Sequence, residues 1–232
     1  YYTKLKHLSG EYNAKFLFET NVGASLPIIS TLNDLLRSGD KIRKMEAVLS
    51  GTLNFVFNNY DGKKSFASVV KQAQEEGYTE PDPRLDLSGK DVMRKIMILA
   101  RESGEHFEME DIANNSFMPA ECMEGSVDDF YRSMEKQEAH FKKLYDEAAA
   151  AGNKLKFVAT YISSGEGAGK AAVGLQHIGP QHDFYHLYGK DNIVLFNTDR
   201  YIDQPLVVKG AGAGADVTAS GVFADIIRAS RV

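Results

Sequence analysis

The chain has 232 residues, with 27 Lys and Arg against 32 Asp and Glu, which gives a formal net charge of -5. This mild negative charge, without a long basic run, makes nucleic acid and anionic membranes poor partners. A single cysteine, Cys122, excludes a disulfide within the chain and fits a reducing, cytoplasmic compartment. There is no run of about 18 apolar residues, so the sequence predicts no membrane-spanning helix.

The first half of the chain is mainly helical in its pattern. Apolar residues at helical spacing predict helices over residues 26–38, 52–60, 65–76 and 89–103. Short apolar runs predict strands over residues 15–18 and 41–50. Ser65 is the expected N-cap of the third helix, and Gly77 is the expected residue that ends it.

The second half changes to strand patterns. Residues 105–120 predict irregular structure with one strand, and residues 126–151 predict one long polar helix with an acidic first turn. The later predicted strands cover residues 155–162, 171–178, 192–197 and 205–209. A helix over residues 216–229 closes the chain. Helices first and strands later favour an α+β fold over regular βαβ alternation.

The most distinctive stretch covers residues 77–95, where a loop with two prolines and several carboxylates leads into a helix. The prolines hold Glu80 and Asp82 in extended backbone. Asp91 and Lys95 are four residues apart, so they share one helix face. As a surface ion pair they would contribute only a few tenths of a kcal/mol. As part of a pocket, they would hold a small polar substrate.

Lys95 has two possible chemical roles. The nearby carboxylate of Asp91 favours the charged form of the amine over the neutral form that a general base needs. We therefore expect Lys95 to be a charged donor that binds and polarises a reacting oxygen, or a base that is activated only in the closed complex.

A glycine-rich turn precedes the last predicted helix. Gly210, Gly212 and Ala215 match the permissive form of the dinucleotide-binding fingerprint, although the second strand and acidic residue of a complete unit do not follow. Two interpretations remain open. The turn either packs backbone closely between a strand and a helix, or points free N–H groups of the helix at a phosphate or a ring.

Four segments, in order along the chain, resemble the homoserine dehydrogenase family, and most of all the dehydrogenase part of bifunctional aspartokinase/homoserine dehydrogenases. The segments cover residues 19–29, 49–57, 77–95 and 210–225. The family interconverts L-aspartate 4-semialdehyde and L-homoserine with NADP or NAD in threonine, methionine and isoleucine biosynthesis. The resemblance implies a cytoplasmic oxidoreductase that acts on a small molecule and forms a homodimer or a higher homo-oligomer.

The resemblance also implies a domain layout. Residues 26–209 would form the catalytic and dimerisation domain, a mixed β-sheet covered by helices. Residues 1–25 would be the remnant of a Rossmann-type nucleotide-binding domain, and residues 210–232 the segment that returns to it. The chain starts at Tyr1, so we expect an upstream segment to hold most of that domain. This fragment would then fold and dimerise without turning over substrate alone.

The resemblance assigns roles to individual residues. Glu80 would bind the amino group of homoserine, and Asp91 and Lys95 would take part in substrate binding and proton transfer. These three are the implied catalytic residues. The implied substrate-binding residues are Gly51, Thr52, Tyr78, Glu80, Asp86, Asp91 and Lys95. Gly212 and Gly214 would lie against the nicotinamide cofactor.

A cation site is implied as well. Glu19, with the backbone carbonyls of Val22 and Ala24, resembles the family's loop for a monovalent cation, Na⁺ or K⁺, and oxygen ligands suit such hard ions. The alternative is an ordinary strand-to-helix turn, with Pro27 at the start of the helix. Ser25 stands where the family usually has Gly, which would strain the backbone if φ is positive there.

One departure affects the substrate loop. Leu85 stands where the family pattern has Asp, so one loop carboxylate is missing, while Asp86 keeps the second position. We expect substrate binding to survive this change.

Two other functions fit parts of the pattern. One is a non-catalytic amino-acid-binding or dimerisation module of a larger biosynthetic enzyme. The other is a metal-dependent hydrolase whose Mg²⁺ or Mn²⁺ would be held by Glu80, Asp82, Asp86 and Asp91. His182 and His186 have a spacing seen in zinc sites, but the sequence offers no third ligand nearby, so we interpret them as structural or surface residues.

Overall fold

A six-stranded β-sheet organises the fold in this computed structural model, which describes residues 1–165 and 167–230. The strands are β1 (Ile42–Val48), β2 (Ile112–Asn115), β3 (Lys154–Ile162), β4 (Lys170–Ile178), β5 (Asp191–Thr198) and β6 (Leu206–Ala211). Their order is β2-β4-β3-β1-β5-β6. β2 pairs with β4 in parallel and the other neighbours pair antiparallel. This mixed sheet confirms the predicted α+β fold.

Most of the helices contribute side chains to the core on one face of the sheet, whereas the first and the last do not. The helices are α1 (Tyr2–Glu11), α2 (Ile28–Arg37), α3 (Gly51–Asn59), α4 (Phe66–Glu75), α5 (Arg84–Leu87), α6 (Lys90–Glu102), α7 (Val127–Lys136), α8 (Glu138–Ala150) and α9 (Ala215–Ser230). Short 3-10 turns lie at Glu19–Asn21, Met109–Asp111 and Ala120–Met123. In the part of the chain that is described, none of these helices is long and apolar enough to cross a membrane.

The main core lies between the helices and the sheet. Met45, at the centre of β1, is fully buried there, and the rings of Phe66 and Phe141 stack at 4.1 Å between centroids. On the opposite face of the sheet, residues 179–190 cover one end by packing Phe184 and Leu187 against apolar side chains of β1, β3 and β5. Burial of these side chains is the main force that holds the layers together.

Several local predictions are confirmed. The Ser65 hydroxyl accepts a hydrogen bond from Ser68 N at 3.2 Å and caps α4. Gly77 ends the same helix with a φ of 73°. Residues 15–18 are not the predicted buried strand, however. They form no strand of the sheet, and Phe16 and Leu17 are more than a third exposed.

The prediction of one long helix over residues 126–151 is also wrong, because this segment forms two helices that separate at Gln137. That residue leaves the helical region with φ of −96° and ψ of 14°, ending α7 and starting α8. The bend lets Phe130 and Met134 of α7, as well as Phe141 of α8, all reach the core. No glycine or proline marks the break, so the tertiary packing decides it.

Candidate active site

Helix α6 begins at a glycine that no other residue can replace easily. Gly89 adopts a left-handed backbone with φ of 72°, and a Cβ there would lie 2.6 Å from Cζ of the buried Phe157. This tight start sets the position of Asp91 in the first turn and of Lys95 one turn later.

Replacing Gly89 with Ala is therefore expected to cost about 2–4 kcal/mol of unfolding free energy, since backbone strain adds to overpacking. Urea denaturation measures this. Gly77→Ala is the matched control, because Gly77 has nearly the same φ but nothing within 4 Å of an added Cβ. It should lose only about 1–2 kcal/mol from strain. Equal losses for the two variants would rule out the contact with Phe157 as a cause.

Asp91 and Lys95 form the ion pair expected from their spacing. Lys95 Nζ lies 2.8 Å from Asp91 Oδ2 and donates a hydrogen bond to the Leu49 carbonyl, also at 2.8 Å. The Lys95 side chain is 19% exposed and that of Asp91 58%. These two contacts occupy two of the three N–H donors of the ammonium. The third can donate to a bound molecule.

The loop before α6 is held together by Asp86. Its Oδ2 accepts a hydrogen bond from Glu80 N at 2.9 Å, and its Oδ1 lies 3.1 Å from the Thr52 hydroxyl. That hydroxyl is also shared with the Tyr78 carbonyl. Burial raises the pKa of Asp86, and the nearby charge of Glu80 raises it further. The structure thus brings Thr52, Tyr78, Glu80 and Asp86 together around one carboxylate.

Asp82 has a different role from its neighbours. Arg84 donates from Nε at 2.9 Å and from Nη2 at 2.6 Å to the Asp82 carboxylate, and from Nη1 to the Gly125 carbonyl at 2.7 Å. Arg84 thereby holds the pKa of Asp82 below its usual value. Among the described residues, no group of three or more His, Cys, Asp or Glu is placed to hold a metal. The geometry gives no support to the hydrolase hypothesis.

A cavity of about 350 Å³ lies between the loop and α6. Its walls are Ser50, Glu80, Leu85, Asp86, Ser88, Lys90, Asp91, Val92 and Arg94. Glu80 and Asp91 bring negative charge and Lys90 and Arg94 positive charge, a combination suited to a zwitterion. Neither cation was predicted as a site residue, although Arg94, three residues after Asp91, falls on the same face of α6.

Four of the predicted substrate-binding residues do not line this cavity, namely Gly51, Thr52, Tyr78 and Lys95. Lys95 is connected to it through its partner Asp91. Leu85 does line it and is 61% exposed, so this chain has an apolar side chain at the mouth of the cavity.

The glycine-rich turn joins β6 to α9. A Cβ at Gly212 would lie 2.1 Å from the Asn192 amide group, so this glycine is required by close packing. Gly214 has a φ of 123° and open space within 4 Å. The Oδ1 atom of Asn192 is buried and has no hydrogen-bond partner among the described residues. Gly214 and Asn192 therefore offer, respectively, an open approach to the backbone and a free acceptor.

Glu19 caps a helix. Its carboxylate oxygens accept hydrogen bonds from Ile29 N at 2.6 Å and Ser30 N at 2.9 Å, in the first turn of α2. The strain that we expected at Ser25 falls instead on Ala24, which has a positive φ of 53°. Ser25 packs closely against Gly221 of α9, where an added Cβ would lie 3.0 Å from it.

The two histidines have separate local contacts. His182 Nδ1 accepts a hydrogen bond from Phe184 N at 3.2 Å, and its Nε2 lies 4.0 Å from Glu46. His186 contacts the Tyr188 hydroxyl at 3.3 Å. The hydrogen bonds with Phe184 and Tyr188 lie within the segment that covers the sheet, and Glu46 belongs to β1, so these contacts agree with a structural interpretation.

Comparison with known proteins identifies close relatives. The family model described as "Homoserine dehydrogenase" matches residues 27–227. The chain is 45% identical to the chloroplastic bifunctional aspartokinase/homoserine dehydrogenase 2 of Zea mays, over 98% of this chain and 24% of that protein. It is 41% identical to the homoserine dehydrogenase of Schizosaccharomyces pombe, over 98% of this chain and 61% of that protein.

A solved structure of the same family has a similar fold. A hyperthermophilic archaeal homoserine dehydrogenase in complex with NADPH matches with a TM-score of 0.74 and 26% identity, covering 99% of this chain and 60% of that one. The chain thus spans about a quarter of the maize protein and about three fifths of the other two.

Proposed function

The chain belongs to the homoserine dehydrogenase family of oxidoreductases, and on that premise we propose that it forms the substrate site of an enzyme that interconverts L-homoserine and L-aspartate 4-semialdehyde with NADP or NAD. The observation that carries this proposal is the Asp91–Lys95 pair, because Asp91 lines a cavity of mixed charge and holds Lys95 directly behind it. A related archaeal enzyme in complex with NADPH supports the choice of cofactor.

The substrate carries an ammonium group, a carboxylate and a terminal oxygen. Glu80 is exposed in the cavity wall and would receive the ammonium, while Asp86 fixes the Glu80 backbone. Gly51 and Thr52 at the start of α3, together with Tyr78, would close the same side of the pocket. Asp86 is itself engaged by Thr52 and Glu80, so its role would be to hold the loop in shape.

Lys95 would act on the terminal oxygen. The nicotinamide cofactor, when bound, would supply or accept the hydride at the adjacent carbon. In the reductive direction, the free N–H of Lys95 would stabilise the negative charge that develops on the aldehyde oxygen. That oxygen would then take a proton from Lys95 or from a water held by it. Asp91 would hold the ammonium in position through their ion pair at 2.8 Å.

We also propose that both ends of the chain belong with a nucleotide-binding domain, as residues 1–25 and 210–232. The two ends meet, since Glu19 N donates to Asp225 Oδ2 at 3.1 Å and Lys15 Nζ to the Arg228 carbonyl at 2.6 Å. Several large apolar side chains there are exposed, namely Leu5, Phe16, Leu17, Phe223 and Ile226. Gly212 and Gly214 would then face the nicotinamide.

Glu19, Val22 and Ala24 are proposed to hold a monovalent cation, Na⁺ or K⁺. Each Glu19 oxygen accepts one N–H and keeps a lone pair, and the loop that would supply the carbonyls has a left-handed backbone at Ala24. Oxygen donors of this type fit a hard cation.

We further propose that the protein is a homodimer or a higher homo-oligomer in the cytoplasm. The face of the sheet opposite the helices supports an interface, because residues 179–190 cover only one end of it. Ile162 and Val207 remain 49% and 41% exposed on its strands.

Replacing Glu80 with Gln tests the substrate assignment. In the enzyme that contains this chain, the KM for L-homoserine should rise about 10- to 100-fold with kcat little changed, since a charge-assisted hydrogen bond contributes about 1.5–3 kcal/mol. Steady-state NADP⁺ reduction measures both constants. The exposed Glu135→Gln on α7 is the control.

The non-catalytic module is the competing function, because a zwitterion-binding cavity does not by itself require Lys95. An unchanged KM in Glu80→Gln would remove Glu80 from the substrate site. Wild-type enzyme that binds L-homoserine without oxidising it would favour the module.

A further inference from the structure

A buried lysine fastens the segment before β5 to helix α3. Lys156 of β3 is completely buried, and its ammonium donates to Asn54 Oδ1 at 2.8 Å, to Asn58 Oδ1 at 2.7 Å and to the Leu187 carbonyl at 2.6 Å. These bonds use all three donors of the ammonium. A buried charge is tolerated only when such partners compensate for lost water.

The same network fixes the backbone on both sides of Lys190. Asn54 Nδ2 donates to the Gly189 carbonyl at 3.0 Å and lies 3.5 Å from the Asp191 carbonyl. Asn58 Nδ2 adds a contact to the Gly189 carbonyl at 3.4 Å. The position of Lys190 relative to α3 is therefore set by buried bonds, although its own side chain is exposed.

Lys190 lies at the edge of the candidate active site. A Cβ added to Gly51 would be 3.4 Å from Lys190 Cβ and 3.3 Å from the Lys190 carbonyl oxygen. Lys190 Nζ is 5.4 Å from the centre of the Tyr78 ring. Since Thr52 joins Tyr78 to Asp86, this ammonium stands beside the wall that carries Glu80.

The charges of the site leave a place for this cation. Lys95 is already committed to Asp91 and to the Leu49 carbonyl at the reacting end. Lys90 and Arg94 share α6 with that end. Lys190 is in no ion pair within the described residues and, although it does not line the cavity itself, it packs against Gly51 at the start of α3. A helix N-terminus adds partial positive charge at the same place.

We propose that Lys190 binds the α-carboxylate of the amino-acid substrate, and that the Lys156, Asn54 and Asn58 network is what positions it. This inference rests on the function proposed above and names the group that recognises the carboxylate of the substrate. It predicts that Lys190 determines specificity for amino acids over amino alcohols.

The test compares two substrates in the enzyme that contains this chain. 3-Amino-1-propanol has the ammonium and the hydroxyl of homoserine but lacks the carboxylate. Lys190→Met should lower kcat/KM for L-homoserine about 10- to 50-fold and leave kcat/KM for 3-amino-1-propanol within about twofold. Where the amino alcohol turns over too slowly, its inhibition constant against L-homoserine serves the same purpose. Lys190→Arg should restore most of the homoserine activity.

Lys143→Met, on the exposed face of α8, is the matched control for loss of one surface lysine. Equal losses for both compounds, or no loss for L-homoserine, would overturn the proposal. Wild-type enzyme without any L-homoserine oxidation would instead overturn the proposed function, so the two failures are distinguishable.

Discussion

Replacing Lys95 with Met is expected to lower kcat for L-homoserine oxidation about 10³-fold, in the range typical of a lost proton-transfer or oxyanion-stabilising group. Met has a similar length but no N–H, so neither Asp91 nor a substrate oxygen would have a donor. The KM should change much less, because Glu80 and the rest of the cavity stay in place.

Stopped-flow and steady-state measurements of NADPH formation would quantify this loss, with Lys143→Met as the control for a surface lysine. Thermal unfolding of both variants checks that the fold is intact. A kcat within about threefold of wild type would place Lys95 outside the chemistry. The non-catalytic amino-acid-binding module would then be the better account of this site.

Replacing Lys156 with Met should have the second large effect, on stability. The change leaves the Asn54 and Asn58 amide oxygens and the Leu187 carbonyl without their shared donor. Each buried acceptor left unpaired costs about 1–3 kcal/mol, offset in part because a buried charge is also removed. We expect a net loss of about 2 kcal/mol at pH 7 by urea denaturation.

This loss should depend on pH in a defined direction. Burial, and then the charge of Lys154, lowers the pKa of Lys156 to about 7 from an ordinary value of 10.5. Between these values the unfolded wild-type chain binds more protons than the folded one, so this lysine makes wild-type stability rise with pH. The deficit of Lys156→Met should therefore grow by about 2 kcal/mol from pH 7 to pH 9, and stay flat below pH 6.

The loss of unfolding free energy in Lys143→Met should not grow with pH. This comparison separates the effect of the buried amine from a general effect of losing one positive charge. A deficit for Lys156→Met that is constant from pH 6 to pH 9 would mean that Lys156 keeps an ordinary pKa in the folded protein.

Local patterns in the sequence predicted local features well. The spacing of Asp91 and Lys95 fixed their contact, and Ser65 and Gly77 marked the ends of α4. The ion pair of Asp82 with Arg84, two residues away, could also have been predicted from the sequence. These features depend on the geometry of one turn or one loop.

Long-range contacts were beyond such patterns. Lys156 and Asn54 are 102 residues apart, and no sequence pattern near either residue predicts the hydrogen bond between them. Helices α7 and α8 separate at Gln137 because each packs against a different part of the fold. Gln137 itself has no special backbone preference. Residues 15–18 have the composition of a strand, but in the described structure they lie outside the sheet.

The most direct measurement for the whole account is NADPH-dependent reduction of L-aspartate 4-semialdehyde, followed at 340 nm, in the enzyme that contains this chain and in its Lys95→Met and Glu80→Gln variants. We expect fast consumption of NADPH by wild type, a kcat about 10³-fold lower for Lys95→Met, and a raised KM for Glu80→Gln. A folded wild-type enzyme that consumes no NADPH with this aldehyde would contradict the proposed function.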